Sequence, residues 1–236
     1  MFSKVIRCLV FCVVWVVCPP LMMHAQDPRF SVERIKAADG QPLSTIYSVM
    51  QDRHGYIWFG TVSGLERYDG YGFRSYRYDA FNASGLSGYK VTTIVEDSSG
   101  NIWAGTLTDG LNRLDRKTDK FTHFIHNPLD PQSLSGAQIN ALITDRYGNV
   151  WIATDKGLDR YIKKTGKIKR YASTRVNGRS FARPTSLFVD RVGQLWVCTR
   201  GGYSDGIYNE VGASMSVYDE PTDSFRTWTI SATERR

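Results

Sequence analysis

The chain has 236 residues, 42% hydrophobic and 22% charged, with a formal net charge of +7. These proportions exclude a wholly disordered chain and a coiled coil, and the length admits one or two domains. With 13% aromatic residues, 21 Gly and 8 Pro, the composition points to a turn-rich, soluble, β-rich protein.

The first 25 residues have the layout of a secretory signal peptide. Lys4 and Arg7 form a basic start, Leu9 to Val17 is an unbroken apolar run, and Ala25 offers a small-residue exit. The run is far shorter than the roughly 20 residues of a spanning helix. Cleavage near Ala25 would place the remainder, residues 26–236, in the periplasm. It would also remove Cys8, Cys12 and Cys18, leaving Cys198 alone, so no internal disulfide is expected. Thirty Lys and Arg less two leaves 28 against 23 acidic residues, a net +5 for the mature chain.

Residues Phe30–Ile35 read as a strand, and a repeat then organises the rest. Asp52-Arg-His-Gly55-Tyr-Ile-Trp58, Asp97-Ser-Ser-Gly100-Asn-Ile-Trp103, Asp145-Arg-Tyr-Gly148-Asn-Val-Trp151 and Asp190-Arg-Val-Gly193-Gln-Leu-Trp196 are four copies of one pattern. The tryptophans are spaced by 45, 48 and 45 residues. After the first three comes Gly-Leu, at Gly64, Gly110 and Gly157, followed two residues later by Arg67, Arg113 and Arg160. A period of roughly 40–50 residues with Gly and aromatic marks is the signature of β-propeller blades.

The expected blades cover about residues 40–80, 86–126, 135–172 and 183–231. In the second, strands are expected at about Tyr89–Glu96, Asn101–Thr106, Gly110–Asp115 and Phe121–Ile125. Asp opens a type I turn and Gly closes it, where φ can be positive. The turn delivers the Trp strand near the propeller's centre. Gly60, Gly105, Ala153 and Cys198 are small enough for neighbouring blades to approach. Trp58, Trp103, Trp151 and Trp196 fill the space between blades, each ring N–H requiring one partner. Four four-stranded blades plus the N-terminal strand give one strand too many for a closed four-blade ring. The chain therefore reads as the front part of a longer propeller, with open blade faces that invite self-association; a truncated reading frame and a ring completed by another chain are the alternative readings.

The pattern Asp-x-x-Gly-x-Ile-Trp-apolar-Gly-Thr, followed by Gly-Leu-x-Arg-Tyr-Asp, resembles the two-component regulator propeller repeat. The lead-in Leu43 to Asp52 shares the resemblance, which covers residues 30 to about 199. It implies the periplasmic sensor region of a bacterial hybrid two-component system, one that detects glycan fragments. In such relatives further blades, a membrane helix and a histidine kinase follow. None of these is evident in the sequence, so the resemblance implies ligand sensing, not phosphotransfer.

No catalytic constellation accompanies the repeat. Lys164-Thr165-Gly166-Lys167 lacks the upstream Gly and final hydroxyl of a phosphate-binding loop. A nucleophile elbow is missing. His123 and His126, three apart, should fall on opposite faces of a strand and share no metal. The Asp turns resemble the Asp-box of sialidase-type propellers, but with a spacing one residue different. The recurring Asp52, Asp97, Asp145 and Asp190 read as turn formers. No enzyme activity, metal or cofactor is therefore expected.

Binding residues are sought where the repeat breaks. Arg200, Tyr203, Asp205, Tyr208 and Asn209 fall in an insertion of the fourth blade, offering a guanidinium fork and aromatic faces to an oligosaccharide. The stretches Gly85–Tyr89 and Ser133–Gln138, between blades, face a propeller surface too. Lys163, Lys164, Lys167, Lys169, Arg170, Arg175, Arg179 and Arg183 form a basic cluster that could attract a sulfated glycan or uronic acid, or be a solvated hairpin. Export argues against nucleic acid. A propeller hydrolase or lyase, and a protein-interaction propeller without a small ligand, remain the alternative readings.

Overall fold

The structure is a computed structural model that describes residues 44–171, 183–199, 203–204, 207–208 and 214–229. The expected strand at Phe30–Ile35 and the signal segment ending at Ala25 lie outside them. No helix of the described residues is long and apolar enough to cross a membrane. The described chain is all-β and forms four consecutive four-stranded antiparallel sheets. The first blade holds β1 (Ile46–Gln51), β2 (Ile57–Thr61), β3 (Gly64–Tyr68) and β4 (Phe73–Tyr76). The second holds β5 (Val91–Glu96), β6 (Ile102–Thr106), β7 (Leu111–Asp115) and β8 (Lys120–Phe124). The third holds β9 (Ile139–Thr144), β10 (Val150–Thr154), β11 (Leu158–Ile162) and β12 (Lys167–Arg170). The fourth begins with β13 (Pro184–Val189) and β14 (Leu195–Thr199). A two-stranded ribbon, β15 (Tyr203–Ser204) and β16 (Ile207–Tyr208), comes next, and β17 (Ser214–Asp219) and β18 (Ser224–Thr229) complete the sheet.

The repeat motif builds the same turn in every blade. The glycine N–H donates to the aspartate carbonyl at 2.9–3.0 Å, and Gly55, Gly100, Gly148 and Gly193 all have positive φ. The sequence reading stopped at this turn. The aspartate also carries the tryptophan. Its Oδ2 accepts the indole N–H of Trp58, Trp103, Trp151 and Trp196 at 2.7, 2.8, 3.1 and 3.0 Å. Oδ1 meanwhile accepts the backbone N–H groups two and four residues on, as at His54 and Tyr56. Burial alone would raise the Asp52 carboxyl. The bonds from Trp58, His54 and Tyr56, with the Arg116 charge, outweigh it and hold the group below its ordinary value.

The Trp strands are second in each sheet, not innermost. The first strands β1, β5, β9 and β13 lie against one another from blade to blade. Each carries a bulge at the same place, at Tyr47, Thr92, Asn140 and Thr185. A bulge re-aims a side chain, and here it is aimed at the next blade. Thr92 Oγ1 donates to the Ile139 carbonyl at 2.8 Å, and Asn140 Nδ2 to the Pro184 carbonyl at 3.0 Å. Lys90 Nζ sits 4.6 Å from the Tyr47 ring centroid. The small residues act as expected at two sites. A Cβ on Gly60 would lie 2.9 Å from the Val91 carbonyl oxygen, and one on Gly105 would lie 2.8 Å from Ile139 Cβ.

Between blades the Trp side of one sheet meets the third strand of the next. Trp58, Trp103 and Trp151 are at most 1% exposed. Trp103 lies 4.7 Å from the Tyr161 ring of the third blade, and Trp151 4.8 Å from the Tyr218 ring of the fourth. An aromatic in or directly after the fourth strand backs each tryptophan, namely Tyr76, Phe124 and Tyr171. Arg113 and Arg160 lie over their own Trp rings and donate to the Tyr161 and Tyr218 hydroxyls, both at 3.0 Å. At the rim, Arg74 pairs with Asp119 and Lys169 with Asp223, again from one blade to the next.

Candidate functional site

Antiparallel meanders place alternate connections at opposite ends. The Asp-x-x-Gly turns occupy one end of the blades. The connections between second and third strands share the other end with the blade-to-blade crossovers. That crossover face therefore collects the fourth-blade insertion together with the stretches Gly85–Tyr89 and Ser133–Gln138.

Both described crossovers fold alike. Leu86 and Leu134 are buried, each in a parallel bridge, to Tyr78 and His126. A polar residue of the third strand holds the backbone just beyond. Asn112 Oδ1 accepts the Ser87 N–H at 2.9 Å, and Asp159 Oδ2 accepts the Ser135 N–H at 2.7 Å. On the adjacent fourth strand, His123 Nε2 meets the Gly85 carbonyl at 2.7 Å. Its counterpart Arg170 donates to the carbonyls of Asn127, Asp130, Ser133 and Leu134. His126 Nδ1 meets the Leu134 carbonyl at 2.7 Å, so the two histidines serve different crossovers.

Asp159 is the most perturbed acid of this face. It is fully buried, its Oδ1 has no hydrogen-bond partner, and burial pushes its carboxyl up to about 6. The Ser135 bonds and the charges of Arg170 and His126 oppose that rise without cancelling it. The sequence reading missed Asp159 and Asn112. The available signal was a polar residue two positions after the Gly157 and Gly110 that open the hairpins.

The insertion lies between β14 and β17, as expected, where the other blades make a short turn. Tyr203 and Tyr208 face each other in register across its ribbon, which the sequence did not show. Arg200, Asp205 and Asn209 lie outside the described residues, as do Arg175 and Arg179. Much of the remaining basic cluster is engaged. Lys163 Nζ donates to Ser98 Oγ at 2.8 Å, Lys169 pairs with Asp223, and Arg170 holds the crossover. The residues added to this face by the structure are the bulged Tyr47, Thr92, Asn140 and Thr185. Three of them are already bonded, Thr92 and Asn140 to the next blade and Thr185 to the Cys198 carbonyl.

The opposite, turn-bearing face holds a cleft of about 330 Å³ between the third and fourth blades. Arg146 Nη2 and Tyr147 OH both donate to Glu220 Oε2 there, at 2.8 and 2.9 Å. The Arg160 guanidinium is committed to Asp145 and Tyr218. The charges in the cleft thus answer one another. No group of three or more His, Cys, Asp or Glu among the described residues is placed to hold a metal ion.

Four Trp-centred, four-stranded blades packed side by side define a β-propeller fold. Residues 40–63, 85–108 and 133–156 match the family model described as two component regulator propeller. Three segments of the chain, one at the start of each of the first three blades, thus match this repeat. It is 31% identical over 67 residues to a histidine kinase of Formosa agariphila, a match covering 28% of this chain and 5% of that protein. It is similar in fold to the extracellular domain of a hybrid two-component system from B. thetaiotaomicron, with a TM-score of 0.62 and 20% identity. That match covers 79% of this chain and 30% of the other. A virginiamycin B lyase from Staphylococcus aureus also shares the fold, at TM-score 0.57 and 16% identity, over 80% of this chain and 57% of that one. The chain spans less than a third of the length of the two-component relatives it matches.

Proposed function

We propose that the chain is the ligand-sensing input region of a two-component sensor, exported to the periplasm, and that its ligand is a glycan fragment. The observation that carries this reading is the run of three matched two-component regulator repeats. The partner is then a membrane histidine kinase, and the chain itself has no catalytic role. A sensor must bind its ligand differently in two states, because equal binding shifts nothing. Neighbouring blades linked by bulge residues and crossover clamps are elements through which such a difference could be transmitted.

The ligand site is proposed on the crossover face, at the insertion carrying Arg200, Tyr203, Asp205 and Tyr208. Its support is position: loops on a rigid scaffold carry recognition, and this one departs from the repeat. Tyrosines offer a sugar both a flat apolar surface and a polar tip. The test is titration calorimetry of the purified chain with neutral, uronic-acid-containing and sulfated oligosaccharides. Saturable binding of one class is expected, weakened at least tenfold by Tyr203→Ala or Tyr208→Ala. A folded protein that binds none of the panel would refute the glycan reading and favour a protein-interaction propeller.

A further inference from the structure

On the turn-bearing face, the residue directly after the third strand of a sheet meets the preceding blade. It is Arg116 in the second blade, Lys163 in the third and Glu220 in the fourth. The first two are cations, and each closes the interface it borders. Arg116 Nη2 lies 2.8 Å from Asp52 Oδ2, and its guanidinium is 5.7 Å from the Tyr56 ring centroid. Its side chain is only 17% exposed. Lys163 Nζ donates to Ser98 Oγ at 2.8 Å. Twice, then, the chain seats an organic cation of its own between two neighbouring blades.

The third interface reverses the charge at this position. Glu220 accepts from Arg146 and Tyr147 of the third blade, and both bonds fall on Oε2, so Oε1 remains an acceptor. Arg146 differs in turn from its counterpart Arg53, which binds Glu96 and the Asp97 and Ser98 carbonyls of the next blade. Val189 stands in the place of Glu96 and offers Arg146 no acid. With no cation inserted from the fourth blade, the cleft of about 330 Å³ remains. That volume lies within the range of small-ligand sites, roughly 300–1,000 Å³. Asp145, Asp219 and Glu220 line it against two guanidiniums, Arg146 and Arg160, an excess of one acid. Tyr147 and Tyr218 add ring surface that attracts positive charge.

We propose that this cleft binds a small organic cation, an ammonium or guanidinium head, in the place that Arg116 and Lys163 fill at the other two interfaces. The head pairs with Glu220, and the rest of the molecule lies against Val192 and Pro221. The Arg146–Glu220 pair is no obstacle, since both side chains are about half exposed and such pairs contribute only about 0–1 kcal/mol. The site is on the face opposite the fourth-blade insertion, and it neither supports nor depends on the glycan reading. An amino sugar and a decarboxylated amino acid both carry such a head, and the test separates them.

Titration calorimetry of the purified chain at about pH 6.5, below the roughly 8 of an α-amino group, uses agmatine and D-glucosamine as cations. D-glucose and N-acetylglucosamine are the neutral controls. Saturable one-to-one binding of at least one cation is expected, with a Kd below about 1 mM, and at least tenfold weaker binding of the neutral sugars. Binding should weaken as salt is added. Glu220→Gln keeps the shape of the cleft and should weaken binding at least fivefold. Glu220→Lys restores the pattern of the third blade and should abolish it, with circular dichroism showing that the sheets remain. If Glu220→Lys disturbs the fold, Gln194→Lys, at an exposed position of the same cleft, replaces it. Agmatine alone binding points to an amino-acid derivative and glucosamine alone to an amino sugar; both binding means that the charged head suffices. Neither cation saturating the chain would overturn the proposal. So would a neutral sugar that binds as tightly as the cations, or binding left intact by the lysine variant.

Discussion

Asp159 stands where the second blade has Asn112, and both accept the N–H of the serine that follows a buried crossover leucine. Replacing Asp159 by Asn keeps that acceptor and removes the ionisable group. With the carboxyl raised from 3.8 to about 6 by burial, the folded chain holds the proton more tightly than the unfolded chain. Well below 3.8 both states are protonated and the group costs nothing. As pH rises towards and through about 6, wild-type stability falls, by at most about 3 kcal/mol at 1.36 kcal/mol per pKa unit. The asparagine adds a buried amide donor with no partner, as at Asn112 Nδ2, a constant cost of about 1–3 kcal/mol. Asp159→Asn should therefore be less stable than wild type at pH 4 and gain up to about 3 kcal/mol on it by pH 8. In a thermal melt this is a relative rise of roughly 6–12 °C. Urea unfolding at pH 4, 6 and 8 measures it. A stability difference that does not change with pH, or that moves against the variant as pH rises, would refute the reasoning.

Removing the carboxylate in Asp97→Ala leaves the Trp103 indole N–H and two backbone N–H groups without their acceptor. A loss of about 2–4 kcal/mol in urea unfolding is expected. Gly105→Ala drives a methyl into Ile139 and Thr93 and should cost about 1–3 kcal/mol. Ala153 already fills the equivalent position of the third blade, so Ala153→Gly should not lose stability through overpacking. Arg170→Ala frees carbonyls over Asn127–Leu134. Hydrogen exchange at these amides should speed up at least tenfold while the strands of the first blade stay protected. Protection unchanged at the crossover would show that Leu134, His126 and Asp159 hold it without Arg170.

The turns and the blade count were legible because each depends on a few contiguous residues. Asp-x-x-Gly-x-Ile-Trp dictates a turn and a strand wherever it occurs, and the second-blade strands fall within two residues of their expected ends. The indole acceptor was half legible, since Asp and Trp keep a constant separation of six. It was missed because a turn role already explained the aspartate. The order of strands from the axis was not legible. Apolar residues on both faces look alike in a buried second strand and a buried first one. The bulges were hidden for a similar reason, since an extra residue in one strand leaves no mark until its partner is known. Asp159 escaped because burial of a carboxylate is decided by the crossover folding over it, some twenty-four residues earlier in the chain.

Tryptophan-centred apolar contacts link each described blade only to its immediate neighbours, which gives the fold a ladder-like energetics. Stability is then a sum of blade terms and nearest-neighbour terms. The second and third blades each bury two such interfaces, while the first and fourth bury one among the described residues. Unfolding should start at the outer rungs and reach Trp103 last. The same arithmetic has an evolutionary reading. A unit that carries a tryptophan on one side and an apolar receiver, Leu114, Tyr161 or Tyr218, on the other can be duplicated or deleted as a block without redesigning what remains, so blade number is free to drift while the interface chemistry stays fixed.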